Sequence, residues 1–140
     1  MKRYVENFAK KVLVAAPGDT LASVGRTMAE HHVGAVVVVE NRRPVGIVTD
    51  RDLALALALG AATPQAPVVK VMASPVETIA AGDGVFQATE VMRERNVRRL
   101  AVVDDNDELA GIVTLDDLLR LLSRELANLV EGIAPEIRAR

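Results

Sequence analysis

Gly46-Ile47-Val48-Thr49-Asp50-Arg51-Asp52-Leu53 returns 65 residues later as Gly111-Ile112-Val113-Thr114-Leu115-Asp116-Asp117-Leu118. Upstream, Gly18-Asp19 returns as Gly82-Asp83, and Met28, Glu30 and Val33 return as Met92, Glu94 and Val97, at a shift of 64. One inserted residue near Glu108 reconciles the two offsets. A duplication of this size copies a whole supersecondary unit, so two copies make a pseudo-symmetric pair that buries a shared face. The copies keep their apolar positions, and they also keep a Thr and an Asp three residues apart.

Each copy predicts the order β-α-β-β-α. Extended lead-ins come first, Val12-Leu13-Val14 and Val76-Glu77-Thr78-Ile79. Asp19-Thr20 and Asp83-Gly84 read as helix starts, where a short acidic side chain can accept from free backbone N–H groups. Leu21, Val24, Met28 and Val33 follow at helical spacing, matched by Val85, Ala88 and Met92. The β-branched run Val36 to Val39 corresponds to Leu100 to Val103, and polar turns at Asn41-Arg42-Arg43 and Asp105-Asn106-Asp107 lead into second strands. Leu53-Ala54-Leu55-Ala56-Leu57-Ala58-Leu59 alternates with period two, which alone suggests a strand. It is read as a helix, because Leu and Ala are strong helix formers and a buried helix can be apolar all round. Gly60 and Pro64 end it. The expected organisation is a first repeat over 1–60, a linker over 61–69, a second repeat over 70–125 and a C-terminal helical extension over 126–140.

Composition narrows the functions. With 140 residues and half of them apolar, the chain can bury a sizeable core. No stretch approaches the roughly 20 apolar residues of a membrane helix, and the first residues lack the apolar centre of a secretory signal, so a cytoplasmic location is expected. The absence of cysteine excludes disulfides, thiolate catalysis and cysteine-bound zinc. A net charge of −2 and only three aromatic residues (one Tyr, two Phe) argue against nucleic acid as a partner. No nucleophile elbow and no carboxylate pair with split pKa values is present, so the expectation is a binding module and not an enzyme. His31 and His32 are neighbours at a helix end and point in different directions, which suits a helix-terminating turn better than a metal site. Asp104-Asp105-Asn106-Asp107-Glu108 lacks the spacing of a calcium loop and reads as a solvated hairpin turn.

The chemistry concentrates at Thr49-x-x-Asp52 and Thr114-x-x-Asp117. Each stands where a strand gives way to a helix, a junction whose free N–H groups and dipole favour an anion. The Thr hydroxyl can bond a phosphate oxygen, and an Asp one turn on can accept from a vicinal diol such as ribose. The same pattern is also a capping box that binds nothing.

On these Gly-Ile-Val-Thr-x-x-Asp segments, the Val-rich strand before each, and Val71-Met72-Ala73-Ser74-Pro75-Val76 at the opening of the second unit, the chain resembles the cystathionine-β-synthase (CBS) domain family over roughly residues 5 to 125. The resemblance implies an α/β (α+β) fold of two pseudo-symmetric β-α-β-β-α repeats packed through their sheets, with terminal helices. It implies a cleft for adenosine-containing ligands (AMP, ADP, ATP or S-adenosylmethionine) as regulatory ligands, with no cofactor required. Thr49 with Asp52 and Thr114 with Asp117 would meet phosphate and ribose, and adenine would lie against the apolar backbone of the lead-in strands, near Val12 to Ala16 and Val76 to Ala80, with Val14, Ala16, Ile79 and Ala80 as its contacts. Family members place basic residues before the second strand, here Arg98-Arg99 against Gly34-Ala35 in the first repeat. Related modules set these across the cleft from the other repeat's motif. Thr49, Asp52, Arg98 and Arg99 would then form the phosphate site, with Arg51 as a further contact or an ion-pair partner of Asp50 or Glu40. Thr114 and Asp117, facing Gly34-Ala35, would suit a less charged ligand or none. An ordinary solvated role for Arg98-Arg99 stays open.

The last helix carries Leu115, Leu118, Leu119, Leu121, Leu122, Leu126, Leu129, Val130 and Ile133, more apolar positions than one repeat can cover. It is a candidate homodimer interface; wrapping back beside Tyr4 and Phe8 is the alternative. Two functions follow: a sensor of adenosine ligands that signals to an effector protein, or a ligand-free assembly module whose Thr-x-x-Asp motifs are only caps.

Overall fold

The structure is a computed structural model describing residues 5–7 and 9–139, the side chains of residue 7 and of residues 133–139 excepted. Two three-stranded sheets follow the duplication. Repeat 1 runs β1 (Val14–Ala15), α1 (Leu21–His31), β2 (Ala35–Glu40), β3 (Arg43–Thr49) and α2 (Asp50–Ala58). Repeat 2 runs β4 (Thr78–Ala80), α3 (Val85–Arg95), β5 (Arg99–Val103), β6 (Leu109–Thr114) and α4 (Leu115–Ala139). In each sheet the lead-in strand pairs parallel to the middle strand, which pairs antiparallel to the last. The duplication reaches down to a register shift between Val38 and Val39 and its counterpart between Val102 and Val103.

Local chemistry sets the boundaries. The Thr20 hydroxyl caps α1 by accepting from the Ser23 N–H at 3.1 Å, whereas Gly84 starts α3 without a side-chain cap. Asp19 and Asp83 do not cap as the sequence suggested: their carboxylates turn back to accept from the backbone N–H of Ala16 at 2.9 Å and Ala80 at 3.2 Å, closing the turn onto the lead-in strand. His32 and Asn96 end α1 and α3 in left-handed conformations, so the histidine pair serves a helix terminus. The acidic run 104–108 is a hairpin turn in which Asp104 accepts from the N–H groups of Asn106 and Glu108. Leu53 to Ala58 is helical as expected, but it is not enclosed: Leu53 is buried while Leu55, Leu57 and Leu59 stay exposed.

The repeats are laced by exchanging the segments that precede them. Val5, ahead of repeat 1, is fully buried in the core of repeat 2 with Ile79, Met92, Leu100, Val113 and Leu118. Val68, ahead of repeat 2, is fully buried in the core of repeat 1 with Leu21, Met28, Val36, Val48 and Leu53. Backbone bridges continue the exchange, Lys10 with Ile112 on β6 and Ala73 with Ile47 on β3. The segment read as a linker therefore lies along repeat 1, where the Ala66 carbonyl accepts from Leu21 N–H and the Asp19 carbonyl from Val68 N–H. Val37, on the opposite face of β2 from Val36 and Val38, is as buried as they are, and Ala101 and Ile112 match it in repeat 2. These residues belong to neither repeat's own core cluster, so the sheets are buried on both faces, which is why the valine run is continuous instead of alternating. The hairpins touch as well, with Leu109 N–H donating to the Arg42 carbonyl at 2.8 Å. Tyr4 and Phe8, the other proposed neighbours of the last helix, lie outside the described residues.

Candidate functional site

Both motifs close on themselves, but to different degrees. Thr49 accepts from Asp52 N–H at 3.1 Å and donates its own N–H to the Asp52 carboxylate at 2.9 Å, a complete capping box. Neither the Thr49 hydroxyl proton nor the second Asp52 oxygen has a partner among the described residues. In repeat 2 the same two backbone bonds form at 3.2 Å each, and the Thr114 hydroxyl also donates to Asp117 at 2.8 Å. Asp117 is half-buried and paired: Lys10 Nζ lies 2.6 Å from its other oxygen and an Arg120 nitrogen lies at 3.7 Å. Burial by itself pushes this carboxyl up. Hydrogen bonds from Lys10 and Thr114, with the Lys10 charge, outweigh that and hold it below the ordinary carboxylate range.

A cavity of about 240 Å³ opens between the repeats. Lys10, Lys11, Leu13, Gly34-Ala35, Arg99 and Thr114 line it. A second cavity of similar size adjoins it through Arg99 and Thr114 and adds Arg98, Leu115 and Asp116. A third, on the far side of Lys10, is lined by Asp117, Arg120, Leu121 and Arg124. Thr114 and Gly34-Ala35 thus line one cavity, and it is more charged than the comparison of Arg98-Arg99 with Gly34-Ala35 suggested. Three cations line this cavity, because the segment ahead of β1 brings Lys10 and Lys11 to it.

The other candidates divide. Arg98 and Arg99 flank Thr114 of their own repeat, held there by the pairing of Arg99 with Thr114 and the Leu115 N–H to Arg98 carbonyl bond. Thr49 and Asp52 line none of these cavities. Arg51 stands exposed on α2 with no ion pair to Asp50 or Glu40 among the described residues. Val14, Ala16 and Ala80 are exposed along the lead-ins. The Ile79 side chain sits in the core of repeat 2, so any contact with a ligand there would be through its backbone. Lys10 and Lys11 escaped the sequence reading because they precede the duplicated pattern. Their place just before Val12-Leu13, where adenine was expected, was the available signal.

Two units with exchanged leading segments and a Thr-x-x-Asp motif at each strand–helix junction define a tandem α/β fold with a cleft between its halves. The CBS domain family model matches residues 5–59 and 68–124, and the chain belongs to that family. The CBS domain-containing protein YhcV of Bacillus subtilis is 33% identical over 129 residues, covering 91% of each chain. The uncharacterized protein MK0525 of Methanopyrus kandleri is 34% identical over 124 residues, 87% of this chain; the match spans 63% of that protein's length. The CBS domain protein PAE2072 from Pyrobaculum aerophilum, solved in complex with AMP, is 30% identical with a TM-score of 0.76, covering 89% of this chain and 98% of that one. The CBS domain pair of protein MJ0100 shares the fold at 24% identity and a TM-score of 0.78, over 89% and 99% of the two chains. Among the described residues no helix is long and apolar enough to cross a membrane.

Proposed function

We propose that this chain is a regulatory module that binds an adenosine-containing ligand between its repeats and passes occupancy to an effector protein through a change in their relative arrangement. The observation that carries this is the cavity uniting the Thr114 junction, the Leu13 lead-in and Gly34-Ala35 from opposite repeats. A ligand there touches both halves and can bias the equilibrium between their arrangements by its differential affinity. The AMP bound by PAE2072, at 30% identity over nearly the whole fold, supports the ligand class. The family's regulatory character supports binding without catalysis.

Thermal denaturation with AMP, ADP and ATP tests it. A ligand at 100 times its dissociation constant should add about 2.7 kcal/mol of stability. Asp52→Ala and Asp117→Ala should each lose the response at their own site, whereas loss of a helix cap alone costs about 1 kcal/mol and leaves ligand response intact. No response to any adenosine ligand would overturn the sensor and leave the assembly module.

Assembly has its own observation. Leu118 and Leu121 of α4 are buried in repeat 2, while Leu119, Leu122, Leu126 and Leu129 are exposed at alternating spacings of three and four. That is the seam of a helix that pairs with another helix. Ile133, named with them from the sequence, has no described side chain. We infer a homodimer through α4, with Leu55 and Leu57 of α2 and Leu59 at its C-terminal cap extending the apolar surface. Sedimentation equilibrium should show a dimer that Leu126→Glu with Leu129→Glu converts to monomer.

A further inference from the structure

The cavity between the repeats holds more positive charge than its motif requires. Lys10, Lys11 and Arg99 line it, and Arg98 joins through the adjoining cavity. The acids near it are Asp116, in that adjoining cavity, and Asp117, beyond Lys10. Asp50 approaches Gly34 from the α2 side and lines a different groove. Four cations therefore face two carboxylates, a balance that attracts an anion.

Lys10 occupies the wall between the cleft and Asp117. Its backbone is fixed to β6, donating to the Ile112 carbonyl at 2.8 Å and accepting from Ile112 N–H at 3.0 Å. Its side chain is 59% exposed while the Asp117 side chain it meets is 7% exposed. A four-carbon stem on a fixed Cα can swing its ammonium from one side of the wall to the other. Asp117 keeps partners when that happens, since the Thr114 N–H and hydroxyl and Arg120 remain.

We propose that Lys10 is the specificity-determining residue of this site: it pairs with Asp117 until a ligand phosphate draws it into the cleft, so the site takes phosphate-bearing nucleotides and rejects neutral or cationic adenosine derivatives. A neutral nucleoside reaching for Asp117 with its ribose must displace an ammonium from a half-buried carboxylate and offers that ammonium nothing in return. A phosphate offers it a charge-assisted bond. A sulfonium ligand such as S-adenosylmethionine adds a positive charge beside Lys11 and Arg99. The base identity rests on the adenosine reading above; the preference for phosphate does not.

Isothermal titration calorimetry of the full chain with AMP, ATP, GTP, adenosine and S-adenosylmethionine tests this, repeated on Lys10→Met and Lys10→Arg. Phosphate-bearing ligands should bind at least about tenfold more tightly than adenosine or S-adenosylmethionine. Lys10→Met should weaken AMP and ATP by about tenfold while adenosine binds as before or more tightly, because Asp117 is freed for ribose. Lys10→Arg should restore the preference. Equal weakening of adenosine and AMP in Lys10→Met would mark a structural role and overturn the proposal, as would S-adenosylmethionine binding as tightly as AMP. GTP matching ATP with the same Lys10 dependence would uphold the role of Lys10 and overturn the adenosine reading. Failure of every ligand to bind would overturn both.

Discussion

Repeat 1 and repeat 2 share element order, strand register and the position of the shift in the central hairpin, yet their motifs are left in different states. At Thr49 the hydroxyl proton and one Asp52 oxygen remain unpartnered among the described residues. At Thr114 the hydroxyl donates to Asp117, and Asp117 is also held by Lys10 and Arg120. The cause lies in the exchanged segments. The residue that bridges to Ile112 above the second motif is Lys10, while the residue that bridges to Ile47 above the first is Ala73. Arg98-Arg99 against Gly34-Ala35 is the same kind of difference. Duplication supplies two equal scaffolds, and the residues that the copies do not share decide which junction is charged.

The largest effect should come from breaking the crossing itself. A Cβ on Gly111 would stand 2.8 Å from the Lys10 carbonyl oxygen and 3.1 Å from Ala9 Cβ. Both belong to the segment pinned on β6 by the Lys10–Ile112 bridge, so Gly111→Ala should destabilise by up to about 3 kcal/mol through overpacking. Gly46 has a related crossing, but its first obstacle is the flexible Met72 side chain, with the Ala73 carbonyl at 3.0 Å. Gly46→Ala should therefore cost less in urea denaturation. Equal costs would show that the two crossings are equally rigid.

Next come the exchanged valines. Truncating Val5 or Val68 to Ala removes two buried methyls and leaves a small cavity, about 2 kcal/mol in each case. Their location makes the more searching test: by amide hydrogen exchange, Val5→Ala should loosen β4 to β6, and Val68→Ala should loosen β1 to β3. Each valine precedes the repeat it does not stabilise. Loosening of the adjoining repeat instead would break the exchange.

The repeats, the order of elements and both Thr-x-x-Asp junctions were legible because they rest on local periodicity and on a pattern written twice. The helix from Leu53 to Ala58 was legible despite its alternation, since propensity outweighed period there. Exposure of Leu55, Leu57 and Leu59 was not, because burial depends on what packs against a helix. The exchange of Val5 and Val68 was hidden because neither segment carries a helical or strand period. The role of Lys10 followed it out of sight: a long-range ion pair made by a residue ahead of the repeat leaves no local signal. The inward turn of the Ile79 side chain follows from its parity on β4, between exposed Thr78 and Ala80.

The smallest expected effect isolates the charged junction by pH. Asp117 is ionised in both the folded and the unfolded chain at neutral pH, and its folded pKa lies below the ordinary 3.8 because the bonds from Lys10 and Thr114 outweigh burial. The unfolded chain therefore binds its proton first as pH falls. The stabilisation is fully present above the unfolded value and is lost progressively as pH falls through the depressed one. Lys10→Met removes the strongest of the lowering contacts without touching the carboxylate. In urea titrations, the stability gap between the parent chain and Lys10→Met should be constant from neutral pH to about pH 5 and should narrow below it. The same experiment on Arg51→Met, on the unpaired junction of repeat 1, should give no pH-dependent gap. A gap that persists unchanged to pH 2.5 would mean that Lys10 stabilises the fold by the packing of its stem and not through the Asp117 charge.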